Sequence, residues 1–192
     1  MTHPPEPHPT SALAGFLSFL APGLGQIYQG RVGKGLLFFV CLLGLFHLGQ
    51  YMGNWQNVYV PPEAAGNFAQ NRVGGRGNFL AGLVNRWHYP GQFWIGVAAW
   101  PAIWQFYDLP TPDPEKYPFF SRFQRSPRED DVNRFLVNTN KTPDLGLMYT
   151  VIAGVLNILV IYDAYAGPAF PASAKKPKPA SEKDALAPEG AT

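Results

Sequence analysis

The chain is short of charge and almost without cysteine. Asp, Glu, Lys and Arg make up 15% of its 192 residues, where an average soluble domain carries about 25%. The shortage is local. No charged residue occurs in Ser11–Gln29, Gly35–Tyr59, Trp87–Tyr107 or Leu145–Tyr162. Uncharged windows of about 18–25 residues are long enough to cross a bilayer core of ~30 Å, and a soluble core rarely needs even one. The single cysteine, Cys41, excludes an intramolecular disulfide, so the fold requires no oxidising compartment. Inside an apolar window it reads as a small buried apolar residue. With 15 basic against 13 acidic residues the net charge is +2, which leaves no electrostatic footprint for nucleic acid. The opening MTHPPEPHPT lacks the basic stretch of a secretory signal, and no small-residue cleavage site follows Ser11–Leu20, so the first window reads as retained.

What is present is glycine and proline, 20 of each. Residues 1–10 form a Pro-rich polar tail that reads as disordered. A helix over about 11–28 starts at a Thr10 or Ser11 cap and meets Pro22-Gly23. Proline removes a helix hydrogen bond and kinks the chain. This element is therefore a kinked span or a re-entrant segment, whose freed backbone groups neighbouring helices must satisfy. A tight turn at Gln29–Gly33 leads into a second helix over 34–53. Pro22, Gly23, Gly25, Gly30, Gly35 and Gly44 are candidates for close helix packing, because glycine lets backbones approach. Arg31 and Lys34 fall at the membrane surface, where they can meet lipid phosphates.

A Gly- and Asn-rich loop covers 54–90, with a short helix expected after Pro61-Pro62 and an amphipathic stretch at Asn78–Trp87. A third span is expected over 91–107, kinked at Pro101, with Trp87, Trp94, Trp100, Trp104 and Tyr107 as candidates for an interfacial aromatic belt. The loop 108–144 carries six basic and seven acidic residues. Within it, Ser126-Pro127 followed by Glu129 signals a short helix at about 127–138. A fourth span covers 145–165, and residues 168–192 read as a disordered tail. Four spans would place Arg31, Lys34 and the 108–144 loop on one side, and Arg72, Arg76, Arg86 and the tail lysines on the other. The balance is close, and the distance of the tail lysines tilts the 108–144 loop toward the cytoplasm.

The run Leu17–Gly30, followed by Lys34-Gly35, resembles the hairpin of the two-transmembrane-helix domain family, with Tyr28 and Gly30 matching the aromatic and glycine of its turn. Gln26-Ile27 replaces that family's basic-aromatic step, and no Asp follows the helix at 34–53. Pro22–Gln26 together with Asn157, Tyr162, Asp163, Ala164, Ala166, Gly167 and Pro168 resembles a bacterial membrane-protein family of unknown function. That resemblance implies a polytopic membrane protein and no assigned activity.

Among polar residues, Asp163 stands out at the end of the last apolar window. Ionisable groups there are costly and often functional. Pairing with Arg31 or Lys34 at headgroup level is the plainer reading. Asn157, deeper in the same window, suits an interhelical hydrogen bond. His47 stands alone, and His3, His8 and His88 have no zinc-site spacing, so no metal is expected. Gly30–Gly35 lacks the Ser or Thr after Lys34 that a phosphate-binding loop requires. Ser18 and Lys34 have no third orienting group, and Glu129–Asp131 between Arg128 and Arg134 reads as a solvated helix start. No cofactor is implied.

The expectation is an all-α integral membrane protein of the cell membrane. It has three to four transmembrane helices, a Gly/Pro-rich helical hairpin and two extramembrane loops. The leading function is a non-catalytic scaffold in contact with membrane lipids, binding a protein partner through the 108–144 loop or forming a homo-oligomer. The alternative is a small transporter or ion-conducting protein using Asn157 and Asp163, with helices broken at Pro22 and Pro101. A lipid-modifying enzyme would need a cluster of His, Asp or Ser, which the sequence does not show.

Overall fold

The computed structural model describes residues 10–61, 79–106, 113, 115–127, 132–134, 137–138 and 141–167. Among the described residues the regular structure is helical and contains no strand. The elements are α1 (Ala12–Leu20), α2 (Leu24–Tyr28), α3 (Val32–Met52), α4 (Phe79–Asn85), α5 (His88–Phe93), a 3-10 turn (Val97–Ala99), α6 (Pro101–Phe106) and α7 (Thr142–Ala166).

α7 is the central post. Its buried positions Gly146, Thr150, Ala153, Asn157, Val160 and Ala164 recur at alternating steps of four and three, the spacing of a coiled-coil seam. α3 answers with buried Gly35, Leu42, Phe46 and Gly49. The two helices run antiparallel, because Lys34 meets Asp163 at one end and Gly49 meets Gly146 at the other. At that far contact a Cβ on Gly49 would come within 2.6 Å of the Gly146 carbonyl oxygen, so only glycine lets the backbones lie this close. A leucine seam would hold them further apart.

Two short hairpins lean on this pair from opposite ends. α1 starts beside the end of α7, where the Ser11 amide donates to the Tyr165 carbonyl at 3.0 Å. Its N-cap is Ser11, whose hydroxyl accepts from the Ala14 amide at 3.2 Å. The helix stops at Ala21, which is extended, and the chain reverses through Gly23 at φ 86. α2 then returns to the same end, where the Gln29 carboxamide donates to the Ala164 carbonyl at 2.6 Å. The second hairpin enters from the other end. α5 passes Thr150, to which Gln92 donates at 2.8 Å, and reaches the depth of Asn157 at Trp94. The chain turns at Gly96, at φ 89, which sits directly beneath the Phe19 and Leu20 carbonyls. It then returns through α6 toward Gln124, whose side chain accepts from the Ala102 amide at 3.1 Å.

Two expectations need correction here. Among the described residues two helices, α3 and α7, are long and apolar enough to cross a membrane, where three or four spans were expected. The expected first span is cut at Pro22-Gly23, and α1, at 9 residues, reaches about 14 Å, half a bilayer core. The expected third span over 91–107 is cut at Gly96, before Pro101, into α5, the 3-10 turn and α6. The two loops also do not lie at opposite ends. The Gln124 amide donates to the Trp55 carbonyl at 2.6 Å and Gln105 to the Phe123 carbonyl at 2.9 Å, so parts of both loops sit together beyond Met52. Arg31 and Lys34 lie at the other end, with Gly167. Of the helix expected at 127–138, residues 132–134 and 137 are helical, and the remainder falls largely outside the described residues. Both tails, the helix expected after Pro61-Pro62 and Tyr107 fall outside them almost entirely.

Gly154→Leu tests the close approach of α5 to α7, because a Cβ there would run into the Gly91 carbonyl. The expected loss is about 1–3 kcal/mol, read as a lower Tm of the detergent-purified protein. Gly33→Leu, with nothing within 4 Å of its Cβ, should leave Tm unchanged.

Candidate functional site

The polar residues singled out by the sequence converge on the inner face of α7. Asn157 is fully buried. Its Nδ2 donates to the Ser18 carbonyl at 3.1 Å and to the Trp94 carbonyl at 2.8 Å. Those carbonyls close the ends of α1 and α5, where the last turns of a helix leave C=O groups without partners. One carboxamide thus ties both hairpin tips to the central helix.

One and a half turns further along lies Asp163. Its Oδ1 accepts from Lys34 Nζ at 2.7 Å, and its Oδ2 pairs with Arg31 at 3.0 Å and accepts from Gln26 Nε2 at 3.1 Å. Arg31 also donates to the Gln29 side-chain Oε1 at 3.3 Å. Both cations that were expected to face lipid phosphates therefore close onto a carboxylate, although Lys34 keeps 40% of its side chain exposed.

Gln26 joins the two groups. It is fully buried. Its Nε2 also donates to the Val160 carbonyl at 2.9 Å, and its Oε1 accepts from the Ser18 hydroxyl at 3.0 Å. The same Ser18 oxygen accepts from the Gly25 amide at 3.1 Å. Every polar atom of this carboxamide is engaged. Its role was not read from the sequence, where Gln26 registered as a departure from a hairpin pattern and as the last residue of the Pro22–Gln26 motif. The available signal was its position: a glutamine within a charge-free window, next to a helix break, has no water to bond.

The glycines and Pro22 divide. Pro22 is buried at the break. Gly23 and Gly35 face each other, and Gly25 lies against the Ala14 carbonyl. Gly30 has open space around its Cβ position, and what it supplies is the turn at φ 79. Gly44 meets nothing within 4 Å, so it packs against no other part of the described chain. Cys41 is exposed rather than buried. His47 Nδ1 lies 2.8 Å from the Leu43 carbonyl in its own helix. Among the described residues no cluster of three or more His, Cys, Asp or Glu side chains could hold a metal ion.

A second polar group lies at the other end of the α3–α7 pair and was not anticipated. Asn57 donates to the Gly49 carbonyl at 2.8 Å. Its own carbonyl accepts from Arg86 at 2.8 Å and from Gln92 at 3.1 Å. The Arg86 guanidinium stacks on the Tyr59 ring, 3.7 Å from its centroid. Burial pulls this guanidinium below its ordinary pKa, and Tyr59 opposes the shift.

These features define an all-helical protein with two apolar helices of membrane-crossing length and a buried polar seam between broken helices. Residues 13–177 match the family of unknown function DUF6677, and the chain belongs to that family. No curated protein and no solved structure matches it.

Asn157→Leu removes both donors and strands the Ser18 and Trp94 carbonyls. The expected cost is about 1–3 kcal/mol for each, read as a fall in Tm and faster proteolysis near residues 21–23. A double-mutant cycle of Lys34→Met with Asp163→Asn should give a coupling below about 1 kcal/mol, because the Lys34 ammonium is partly in solvent.

Proposed function

We propose that this chain is a membrane-embedded, non-catalytic scaffold with two full spans, α3 and α7, and two re-entrant hairpins that enter from opposite faces. The observation that supports this is an inverted distribution of polarity. Ser18, Gln26, Gln50, Gln92, Thr150 and Asn157 are buried, while Leu36, Leu37, Val40, Leu48, Ile152, Val155 and Leu159 are exposed on the long helices. Only 22% and 33% of the apolar windows of α3 and α7 are buried. A soluble core helix of that hydropathy would be mostly covered, and so large an exposed apolar surface calls for lipid or a partner. Lipid tails cover it in this reading, in a multi-pass protein of the cell membrane. Arg31 and Lys34 stand at the level of the headgroups, where the exposed part of Lys34 reaches a phosphate.

The partner-binding element is the 108–144 loop, which carries most of the charge of the large extramembrane face. The open helix surface around Gly44 leaves room for a second copy of the chain. Transport through Asn157 and Asp163 would need both to face a water-filled path. Full burial of Asn157, and engagement of both Asp163 oxygens by Arg31, Lys34 and Gln26, weigh against that use.

Two measurements test the proposal. In a Cys41→Ser background, Asn71→Cys and Val137→Cys should be labelled by a membrane-impermeant maleimide from the same side of the bilayer. Labelling from opposite sides restores the four-span arrangement. Purification in mild detergent should recover a stoichiometric protein that is lost when residues 113–138 are deleted. Ion or solute flux in proteoliposomes that Asp163→Asn abolishes would overturn the scaffold role.

A further inference from the structure

The end of the molecule that carries Arg86 contains a cavity of about 230 Å³, lined in part by Gln56, Asn57, Tyr59, Arg86, Asp144 and Leu147. Three of its lining residues hold a buried side-chain atom that lacks a hydrogen-bond partner. Asn57 Oδ1, Gln56 Oε1 and Arg86 Nε are all buried without a hydrogen-bond partner among the described residues. The orientation of the Asn57 carboxamide is fixed by its Nδ2 bond to the Gly49 carbonyl, so its free atom is an acceptor. Among the described residues the ion pairs are those of Asp163, and no carboxylate pairs with Arg86. Native proteins leave few buried polar groups unpaired, and those they leave call for a reason.

The missing partners have a definite chemistry. Arg86 needs an acceptor with negative charge. Asn57 Oδ1 and Gln56 Oε1 need donors. Asp144, exposed in the first turn of α7 at the rim, is an anion that a cation would complement. A single small molecule that carries an anionic group and a primary ammonium satisfies all four groups. The volume suits a ligand of that size, with Tyr59 and Leu147 supplying apolar wall and Asp144 at the open rim.

We propose that this cavity binds a zwitterion with a phosphate or carboxylate at Arg86 and a primary ammonium at Asn57, Gln56 and Asp144. Two sources offer that chemistry, the headgroup of an ethanolamine phospholipid and a free phosphoethanolamine or amino acid. The site lies at one end of the α3–α7 pair, beside the Gly49–Gly146 contact, which is the level of a headgroup if these helices span.

The test uses the full chain, purified in a detergent without a zwitterionic headgroup. Binding of dihexanoyl-phosphatidylethanolamine, phosphoethanolamine and dihexanoyl-phosphatidylcholine is measured by calorimetry. The ethanolamine lipid should bind, and the choline lipid should bind at least about tenfold more weakly, because a quaternary ammonium has no N–H for Asn57 or Gln56. Asp144→Asn, an exposed rim substitution that leaves the packing intact, should weaken binding about tenfold. Arg86→Gln should abolish it, with an unliganded melting curve recorded to show that the variant is folded. Saturation by phosphoethanolamine at the same affinity assigns a soluble source, and binding of the lipid alone assigns the membrane. Equal affinity for the choline and ethanolamine lipids, no binding of any ethanolamine probe, or binding indifferent to Asp144→Asn would overturn the proposal.

Discussion

A helix broken inside an apolar bundle exposes carbonyls that no water can serve. That constraint governs this structure. α1 stops at Leu20 and α5 at Phe93, and each break frees backbone groups deep in the molecule. Asn157 supplies one donor to each end, and Gly96 brings the second hairpin flat against the Phe19 and Leu20 carbonyls. The two interruptions are therefore one problem with a shared solution. Without the carboxamide, neither hairpin tip could stay at that depth without an unsatisfied group, at a cost of about 1–3 kcal/mol each.

The same constraint explains why polar side chains are buried between the long helices while many of their large apolar side chains are exposed. In the proposed bilayer setting, packing two helices through leucine gains nothing because the surrounding medium is itself apolar, so close contact, small residues and hydrogen bonds must hold the bundle. The α7 seam follows this rule, with Gly146, Thr150, Ala153, Asn157 and Ala164 at its buried positions. The large side chains of that helix, Leu145, Met148, Ile152, Val155, Leu156 and Leu159, point outward. The low charge of the sequence and the inverted distribution of the structure are one property seen at two levels.

Much of this was legible in the sequence, and the failures have a common cause. Charge-free windows marked α3 and α7 because both helices are continuous and their length is a local property. Pro22-Gly23 marked the first break because proline and an adjacent glycine disrupt a helix wherever they fall. The 91–107 window misled, since its composition is as apolar as a span while its turn depends on Gly96 at φ 89 packing under another element. A lone glycine carries no such message. Gln26 was passed over for a similar reason. Its importance lies in contacts with Val160 and Asp163, more than a hundred residues away, which periodicity cannot reveal. Gly44 meets nothing else in the described chain, because a glycine can sit on an open face as well as on a packed one.

The two ends of the molecule differ in how completely their polar groups are satisfied. At the Asp163 end, each polar side-chain atom of Ser18, Gln26 and Asp163 has a partner, and Asn157 Oδ1, deeper in the bundle, is the buried atom left without one. At the other end Gln50, Gln56, Asn57, Arg86 and Gln92 each retain a buried atom without one. If both ends served only stability, this asymmetry would be a standing cost at one of them, since each orphaned group is worth about 1–3 kcal/mol. A fully satisfied network rigidifies, and buried groups left unpaired call for a reason. The first end is then the clamp that fixes the hairpins, and the second is the end at which we propose that the protein meets a ligand.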